Sequence, residues 1–163
     1  MDDIVINTAM EKLLHKKFFW RNKVETQRIL SIISHDMSKL IYRMEGNQYW
    51  LAMDNRKLTI EDIEHAYGDL VAYEWSCNEI YIEPEFIKNN FREAIPFAFQ
   101  AVKETLIKKY PKEKFFIALS AQKGQYANIS IHFHLYRENV FYLDLDIENY
   151  TQPTLYKIID PSM

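Results

Sequence analysis

Residues 114–147 read KFFIALSAQKGQYANISIHFHLYRENVFYLDLDI, and apolar residues alternate with polar ones along most of this run. A period of two is typical of β-strands that bury one face, so this stretch decides the fold class. Gly124 lies in a predicted turn, and a second turn is expected at residues 137–139. We therefore predict that the C-terminal third forms an antiparallel meander. Its four strands are expected at residues 116–120, 129–137, 140–147 and 155–159.

The same alternation assigns the side chains of the predicted sheet to two faces. One face is expected to cover a helix, and its apolar members are Ile129, Ile131, Phe133, Leu135, Phe141, Leu143, Leu145 and Ile147. The other face is expected to be exposed, and it carries Ser130, His132, His134, Tyr136, Tyr142, Asp144, Asp146 and Glu148. A three-residue loop that ends with Asn139 in a left-handed conformation keeps the two apolar rows together. In this register, His132 faces Asp144.

Before residue 114 the apolar period is close to 3.6, which predicts helices. The strongest pattern lies between Pro84, which suits a first helical turn, and Pro111. Pro96 lies within this segment and is expected to kink the helix, because proline removes one backbone hydrogen bond. The chain is thus predicted to be an α+β protein, with a helical N-terminal half and a long central helix packed on the C-terminal sheet. The buried stripe of that central helix is expected to be Ile87, Phe91, Ile95, Phe99, Val102 and Leu106.

The segment between residues 22 and 53 allows two interpretations. Asn22 is followed three residues later by Glu25, a capping-box pattern, and apolar residues then recur at helical spacing until Gly46. This pattern favours one long helix. The alternative is a hairpin that turns at Gly46, between strands at residues 40–44 and 49–53.

Three shorter elements complete the N-terminal half. A first helix is predicted over residues 3–18, with Asp3 as its cap. A capping-box pattern that begins at Thr59 predicts another short helix, and Gly68 predicts its end. Residues 71–82 are rich in Tyr, Trp and Ile, which predicts a strand or a bent pair of strands.

The chain has 163 residues, of which 48% are hydrophobic and 26% charged, and these values are typical of one globular domain spanning residues 1–163. Its only cysteine is Cys77, so a disulfide framework is excluded and a reducing compartment is expected. The N-terminal residues MDDIVINTAM carry acids where a signal peptide carries bases, and no apolar run approaches the roughly 18 residues of a membrane span. We expect a cytoplasmic protein with no membrane partner.

The formal net charge is −3, and it is unevenly distributed along the chain. Residues 138–163 contain five acids and one base, a net charge of −4, whereas residues 1–137 carry +1. Nucleic-acid binding requires a basic stripe, so a direct nucleic-acid ligand is not expected. The acidic segment instead favours a basic protein as the partner.

An enzymatic interpretation rests on three residues of the predicted exposed face. His132 and His134 share one strand face, a spacing found in β-sheet metal sites, and Asp144 can add an oxygen ligand. This pattern allows a metal-dependent hydrolase, although paired His and Asp side chains are also common on an exposed sheet face. Only three glycines occur in the chain, which argues against phosphate-cradling loops and the nucleotide cofactors they bind. We expect a non-catalytic protein with no cofactor and no functional metal. A generic protein-interaction module is the third interpretation.

With its helical first half and its acidic C-terminal sheet, the chain resembles the immunity proteins of bacterial contact-dependent growth inhibition and related polymorphic toxin systems. The resemblance covers mainly residues 114–160, which include the run IHFHLYRENVFYLDLDIENYTQPTLYKII at residues 131–159. It implies a stoichiometric inhibitor that binds a cognate toxin domain, commonly a basic nuclease, and masks its active or substrate-binding surface. It also implies that the protein has no cofactor and no turnover. The contacts expected from the predicted acidic face are Asp144, Asp146, Glu148, Tyr142, His132 and His134.

Overall fold

The computed structural model describes residues 4–14, 23–87, 90–124 and 126–161. These ranges contain the helices α1 (Thr8–Leu14), α2 (Lys23–Ser38), α3 (Ile60–Tyr67), α4 (Leu70–Cys77), α5 (Pro84–Ile87) and α6 (Phe91–Lys109). They also contain the strands β1 (Val5–Ile6), β2 (Ile41–Glu45), β3 (Gln48–Ala52), β4 (Glu79–Ile82), β5 (Phe115–Gln122), β6 (Asn128–Leu135) and β7 (Thr154–Ile159). Within the described ranges, every helix is too short or too polar to cross a lipid bilayer.

Five strands form one antiparallel sheet in the order β1-β7-β5-β6-β4, and β2 and β3 form a separate hairpin. The predicted α+β class is confirmed. The strand order is not that of a meander, because β7 pairs with β5 instead of lying beyond β6. Both β6 and β7 are antiparallel to β5, so they run parallel to each other. The chain that joins them must therefore cross from one end of the sheet to the other.

The main core lies on one face of this sheet. The predicted inward row of β6 is confirmed, since Ile129, Ile131, Phe133 and Leu135 are all buried there. The predicted stripe of the central helix is also buried at Ile95, Phe99, Val102 and Leu106. The helix begins later than expected, because Pro84 starts the separate α5 and α6 starts at Phe91. Pro96 lies inside α6, which continues to Lys109.

Residues 39–52 do not continue the second helix, so the favoured interpretation of a helix reaching Gly46 is wrong and the hairpin alternative is correct. Gly46 has a φ of 58°, which a glycine adopts without strain at the turn. The side chains of β3 alternate as in any strand: Leu51 enters the main core, whereas Trp50 and Ala52 enter a second core formed with α3 and α4. Burial on both faces of β3 explains why these residues fold as a strand.

Residues 71–82 form a helix followed by a strand, so the predicted strand begins eight residues too early. Gly68 ends α3 with a φ of 90°, as predicted, and Asp69 then caps α4 by accepting a hydrogen bond from Ala72 N at 2.7 Å. The residues of α4 include good strand formers. Packing of α4 against β6 and the hairpin overrides that preference, because Val71 and Tyr73 are buried in these contacts.

The N-terminal helix begins at Thr8, later than predicted, and follows the edge strand β1. Its predicted end at residue 18 lies outside the described residues. Its cap is Asn7, whose Oδ1 accepts a hydrogen bond from Met10 N at 2.9 Å. The two caps predicted at Asp3 and Asn22 lie outside the described residues.

The predicted capping box at the start of α3 is confirmed. The Thr59 hydroxyl accepts from Asp62 N at 3.1 Å, and the Asp62 carboxylate accepts from Thr59 N at 2.9 Å. We expect Thr59→Ala to lower the free energy of unfolding by about 1 kcal/mol, because one of the first backbone N–H groups loses its acceptor. Thr59→Ser keeps the hydroxyl and is the matched control in urea titrations of both variants. Equal stability of the two variants would contradict the role of this cap.

Candidate interaction site

Residues 136–153 connect β6 to β7 and form the crossover loop. It passes over the sheet face opposite the main core, where Phe141 lies 5.7 Å from Phe116 and Tyr142 lies 5.2 Å from Trp75, measured between ring centroids. It is longer than the roughly 12–15 residues beyond which an irregular loop in a compact domain usually has a function. The crossover loop is therefore a candidate functional surface.

The predicted strand at residues 140–147 does not form. Only an isolated bridge joins Arg137 and Val140, although Asn139 has the left-handed conformation that was predicted, with a φ of 60°. The reason is local hydrogen bonding. Asp144 Oδ1 accepts from the backbone N–H of Asp146 at 2.9 Å, and such Asx turns compete with the pairing of strands.

The three predicted contact carboxylates consequently do not form a row on one strand. Asp144 and Asp146 are exposed within the same turn, where Asn149 also donates to Asp144 Oδ2 at 3.0 Å. The hydrogen bonds from Asp146 N and Asn149 hold the pKa of Asp144 below its usual value. Glu148 is exposed at another point, where its Oε1 accepts from Thr8 N at 2.8 Å and ties the loop to α1.

Hydrogen bonds anchor the C-terminal end of the crossover loop. The buried side chain of Asn7 places its Nδ2 within 3.3 Å of the carbonyl oxygens of Ile147, Tyr150 and Gln152. Ile147 itself is buried. The backbone of residues 147–152 is thus anchored before any partner binds, which lowers the entropic cost of ordering this part of the loop on binding.

His132 does not face Asp144 as the meander predicted. Its neighbours across the sheet are Ala118 on β5 and Glu79 on β4. The imidazole stacks on the indole of Trp75 at 4.7 Å with an interplanar angle of 5°. Its Nδ1 lies 3.0 Å from the carbonyl oxygen of Trp75, and its Nε2 lies 3.1 Å from Ser130 Oγ. Both nitrogens are therefore engaged within the protein.

His134 is fully buried, so the prediction that it lies on an exposed face is wrong. Its ring stacks on Phe116 at 5.1 Å, and its Nδ1–H donates to the carbonyl of Leu135 at 2.8 Å. Burial lowers the pKa of His134 to about 4. The imidazole is neutral near pH 7, and it cannot contact a partner from this position.

The residues of the metal-hydrolase alternative are not brought together. His132 stacks on Trp75, His134 is buried, and Asp144 belongs to the turn of the crossover loop. In the part of the chain that the structure describes, no three His, Cys, Asp or Glu side chains form a group that could hold a metal ion. Cys77, the one thiol, lies 3.8 Å from the Asp54 carboxylate, and burial raises its pKa. A raised thiol pKa disfavours the reactive thiolate form of this cysteine.

Sequence reasoning missed a buried ion pair that holds the hairpin against the sheet. The fully buried Glu74 on α4 accepts hydrogen bonds from Arg137 Nη1 at 2.8 Å, Leu51 N at 2.8 Å and Leu135 N at 3.0 Å. Burial raises the pKa of Glu74, whereas the Arg137 guanidinium and the two backbone N–H groups lower it. Arg137 also lines an open cleft of 490 Å³, but its Nη2 already donates to the carbonyl of Tyr49 at 2.9 Å. The pair thus connects α4 to the hairpin and to β6, and its charged groups are engaged within the protein.

A smaller cavity lies between the crossover loop and the sheet, with a volume of 230 Å³. Its aromatic walls are Trp75 from α4 and Tyr142 and Tyr150 from the loop, and His132 lies beside them. Trp75 was not singled out from the sequence, because residues 71–82 were interpreted as a strand. The signal that points to it is Asp69 directly after Gly68, a cap that starts a new helix.

The fold and this surface define an α+β protein in which an acidic, aromatic loop crosses the outer face of a five-stranded antiparallel sheet. The model of the family described as "Uncharacterized protein PM0498 family" matches residues 5–162. The chain therefore belongs to that family. No curated protein and no solved structure shows significant similarity to the chain.

Proposed function

We propose that the protein is an immunity protein, which binds a cognate basic toxin domain, such as a nuclease, and masks its active or substrate-binding surface. The crossover loop supplies the contact surface. It acts by binding alone, without turnover.

The observation that carries this proposal is the composition of the exposed part of the loop. Residues 138–150 contain four acids and no Lys or Arg. Among them stand the exposed apolar side chains of Val140, Tyr142 and Leu145, of which Tyr142 is 54% exposed. Carboxylates steer a basic partner, and exposed aromatic residues supply the buried contacts of an interface. This combination favours a docking surface over a merely hydrated loop.

The resemblance to immunity proteins is a second, weaker support for the proposal. Only some of the features on which it rests are present in the structure. The α+β class and the acidic C-terminal segment remain, whereas the closing meander on which the resemblance also rested is replaced by a crossover. The interface is consequently assigned to an exposed loop instead of a strand face. His134 is no longer among the contacts, because its side chain is buried.

The proposal is tested by charge reversal in the loop. Glu138 and Asp146 have exposed side chains, whereas Asp144 accepts two hydrogen bonds that shape the turn. We therefore expect Glu138→Lys with Asp146→Lys to preserve the fold and to slow association with the cognate toxin domain, which the proposal expects to be encoded beside this gene. The expected slowing at low salt is at least about tenfold, with reduced survival of cells that express the toxin.

The matched control reverses the same number of charges outside the loop, with Glu61→Lys on α3 and Glu104→Lys on α6. Both variants change the net charge equally, so a difference between them reports the position of the charges. The association rate constant is measured at low and at physiological salt, because steering weakens as salt screens the charges. Equal rates for the two variants, or no neutralisation of the neighbouring toxin by the wild-type protein, would refute the proposal.

A further inference from the structure

The β2–β3 hairpin has one strand edge that the rest of the protein satisfies and one that it does not. Leu51 N donates to Glu74 Oε1 at 2.8 Å, and Leu51 O accepts from Asn78 Nδ2 at 2.8 Å. The backbone groups of Leu51 therefore point away from β2. Tyr42 is the ladder partner of Leu51, and opposite residues of an antiparallel ladder have the same orientation. The backbone N–H and C=O of Tyr42 thus point away from β3, as do those of Met44 two residues on.

This outer edge of β2 is open. Within the described residues, the outward backbone groups of Tyr42 and Met44 make no hydrogen bond. An open groove of 400 Å³ lies beside Met44 and Glu45. The side chain of Met44 is 72% exposed, more than any other large apolar side chain that the structure describes. Such an edge binds a further strand unless proline, lysine or a bulge protects it, and β2 contains none of these.

The sequence of β2 is complementary to itself in one antiparallel register. When Met44 of one copy lies opposite Met44 of a second copy, the outward backbone groups of the two residues meet. Arg43 of each copy then lies opposite Glu45 of the other, a cross-strand pair of opposite charges. Arg43 Nη2 donates to the carbonyl of Asp54 at 3.2 Å, and no carboxylate among the described residues pairs with this guanidinium. The neighbouring register sets Arg43 against Arg43 and is disfavoured by like charges.

We propose that β2 pairs with β2 of a second copy of this chain, which gives a symmetric dimer with a sheet in the order β3-β2-β2-β3. Tyr49 is the ladder partner of Met44, so these two side chains from each copy form one apolar row across the sheet. The other face carries the two Arg43–Glu45 pairs. A two-stranded hairpin is marginally stable alone, and the pairing extends it to four strands. The dimer is independent of the proposed immunity function.

Sedimentation equilibrium of the full-length protein across a wide range of concentrations tests the dimer. We expect a monomer–dimer equilibrium in the absence of any partner. Met44→Lys sets two like charges against each other and removes the apolar contact, so it should raise the dissociation constant at least about tenfold. Tyr81→Lys adds the same charge to β4, an edge strand of the main sheet, and is the matched control. A monomer at every concentration, or equal effects of the two substitutions, would overturn the pairing.

An exchange of charges tests the register. Arg43→Glu and Glu45→Arg each set like charges opposite one another, so each variant alone should dimerise roughly three- to tenfold more weakly than wild type. In a mixture of the two variants, each cross-strand pair again joins opposite charges. Heterodimers should therefore form with nearly the dissociation constant of wild type. A mixture that associates no more tightly than either variant alone would refute this register.

Amide hydrogen exchange of the wild-type protein identifies the edge without any substitution. The N–H of Met44 faces outward in the monomer, whereas those of Arg43 and Glu45 point towards β3. Raising the protein concentration should therefore slow exchange at Met44 more than at its two neighbours. If the Met44 amide slows only when a toxin domain is added, the edge binds a strand of that partner, and the dimer is wrong.

Discussion

Glu74→Ala is expected to lower the free energy of unfolding by about 3–5 kcal/mol, because it removes one partner of a fully buried ion pair. The loss is larger than that of a surface ion pair for two reasons. Arg137 keeps a charge at a site where its side chain is only 26% exposed. The backbone N–H groups of Leu51 and Leu135 lose their acceptor in a buried environment, and each unsatisfied group carries its own cost.

The position of Glu74 predicts which part of the protein will unfold first in the variant. Its carboxylate joins β3 of the hairpin to the end of β6, and Asn78 makes a second connection by accepting from Met53 N at 2.9 Å and donating to Leu51 O at 2.8 Å. The loss of Glu74 should therefore release the hairpin first. Hydrogen exchange of the amides of β2 and β3 should accelerate more than that of β5.

The measurement is urea unfolding of the wild type, Glu74→Ala, Arg137→Met and the double variant. Coupling between the two sites should be clearly measurable in this cycle, since the side chains share two hydrogen bonds. Glu64→Ala removes an exposed glutamate from the neighbouring α3 and should change stability by less than about 0.5 kcal/mol. A loss below about 1 kcal/mol for Glu74→Ala would contradict the role of the buried pair.

The elements that could be predicted from the sequence are those whose pattern is local. The inward row of β6 follows from strict alternation, and the stripe of α6 follows from helical spacing around Phe99. The cap at Thr59 and the helix end at Gly68 follow from short motifs with one mechanism each. In these places local preference and tertiary packing agree.

The elements that were predicted incorrectly are those in which tertiary contacts decide. The residues of α4 include good strand formers, but the segment is helical and packs against β6 and the hairpin, where Tyr73 and Glu74 are buried. The segment 140–147 alternates like a strand, yet its outward Asp144 accepts from Asp146 N and closes a turn. Alternation cannot report a hydrogen bond of that kind.

The sequence indicated which exposed residues belong to the candidate site, but it did not indicate how the side chains of the site are arranged. The alternation along residues 140–148 predicted that Tyr142, Asp144 and Asp146 are exposed, and their side chains are exposed in the structure. The burial of His134 and the stacking of His132 on Trp75 depend on α4, which is distant in sequence. An aromatic cavity made by two segments so far apart along the chain has no signature in either segment alone.

His134 provides the last prediction, a loss of stability as the pH falls. Burial among aromatic rings lowers the pKa of its imidazole from 6.5 to about 4, because the charged form loses hydration there. The hydrogen bond to the Leu135 carbonyl and the charge of Asp69 oppose this effect, and the charge of Arg137 adds to it. Its Nε2 has no hydrogen-bond partner within the described residues, which fits the neutral form with the proton on Nδ1.

The sign follows from linkage, since the unfolded chain binds a proton near pH 6.5 whereas the folded protein does not until about pH 4. His134 does not reduce the free energy of unfolding above pH 6.5. Between pH 6.5 and 4 that free energy falls by about 3 kcal/mol, at 1.36 kcal/mol per pKa unit. His134→Phe keeps an aromatic ring and cannot titrate, so its stability relative to wild type should rise by that amount as the pH falls. His35→Gln removes an exposed imidazole and is the matched control in urea titrations across this range. Parallel pH profiles for wild type and His134→Phe would show that the buried imidazole is not the group responsible.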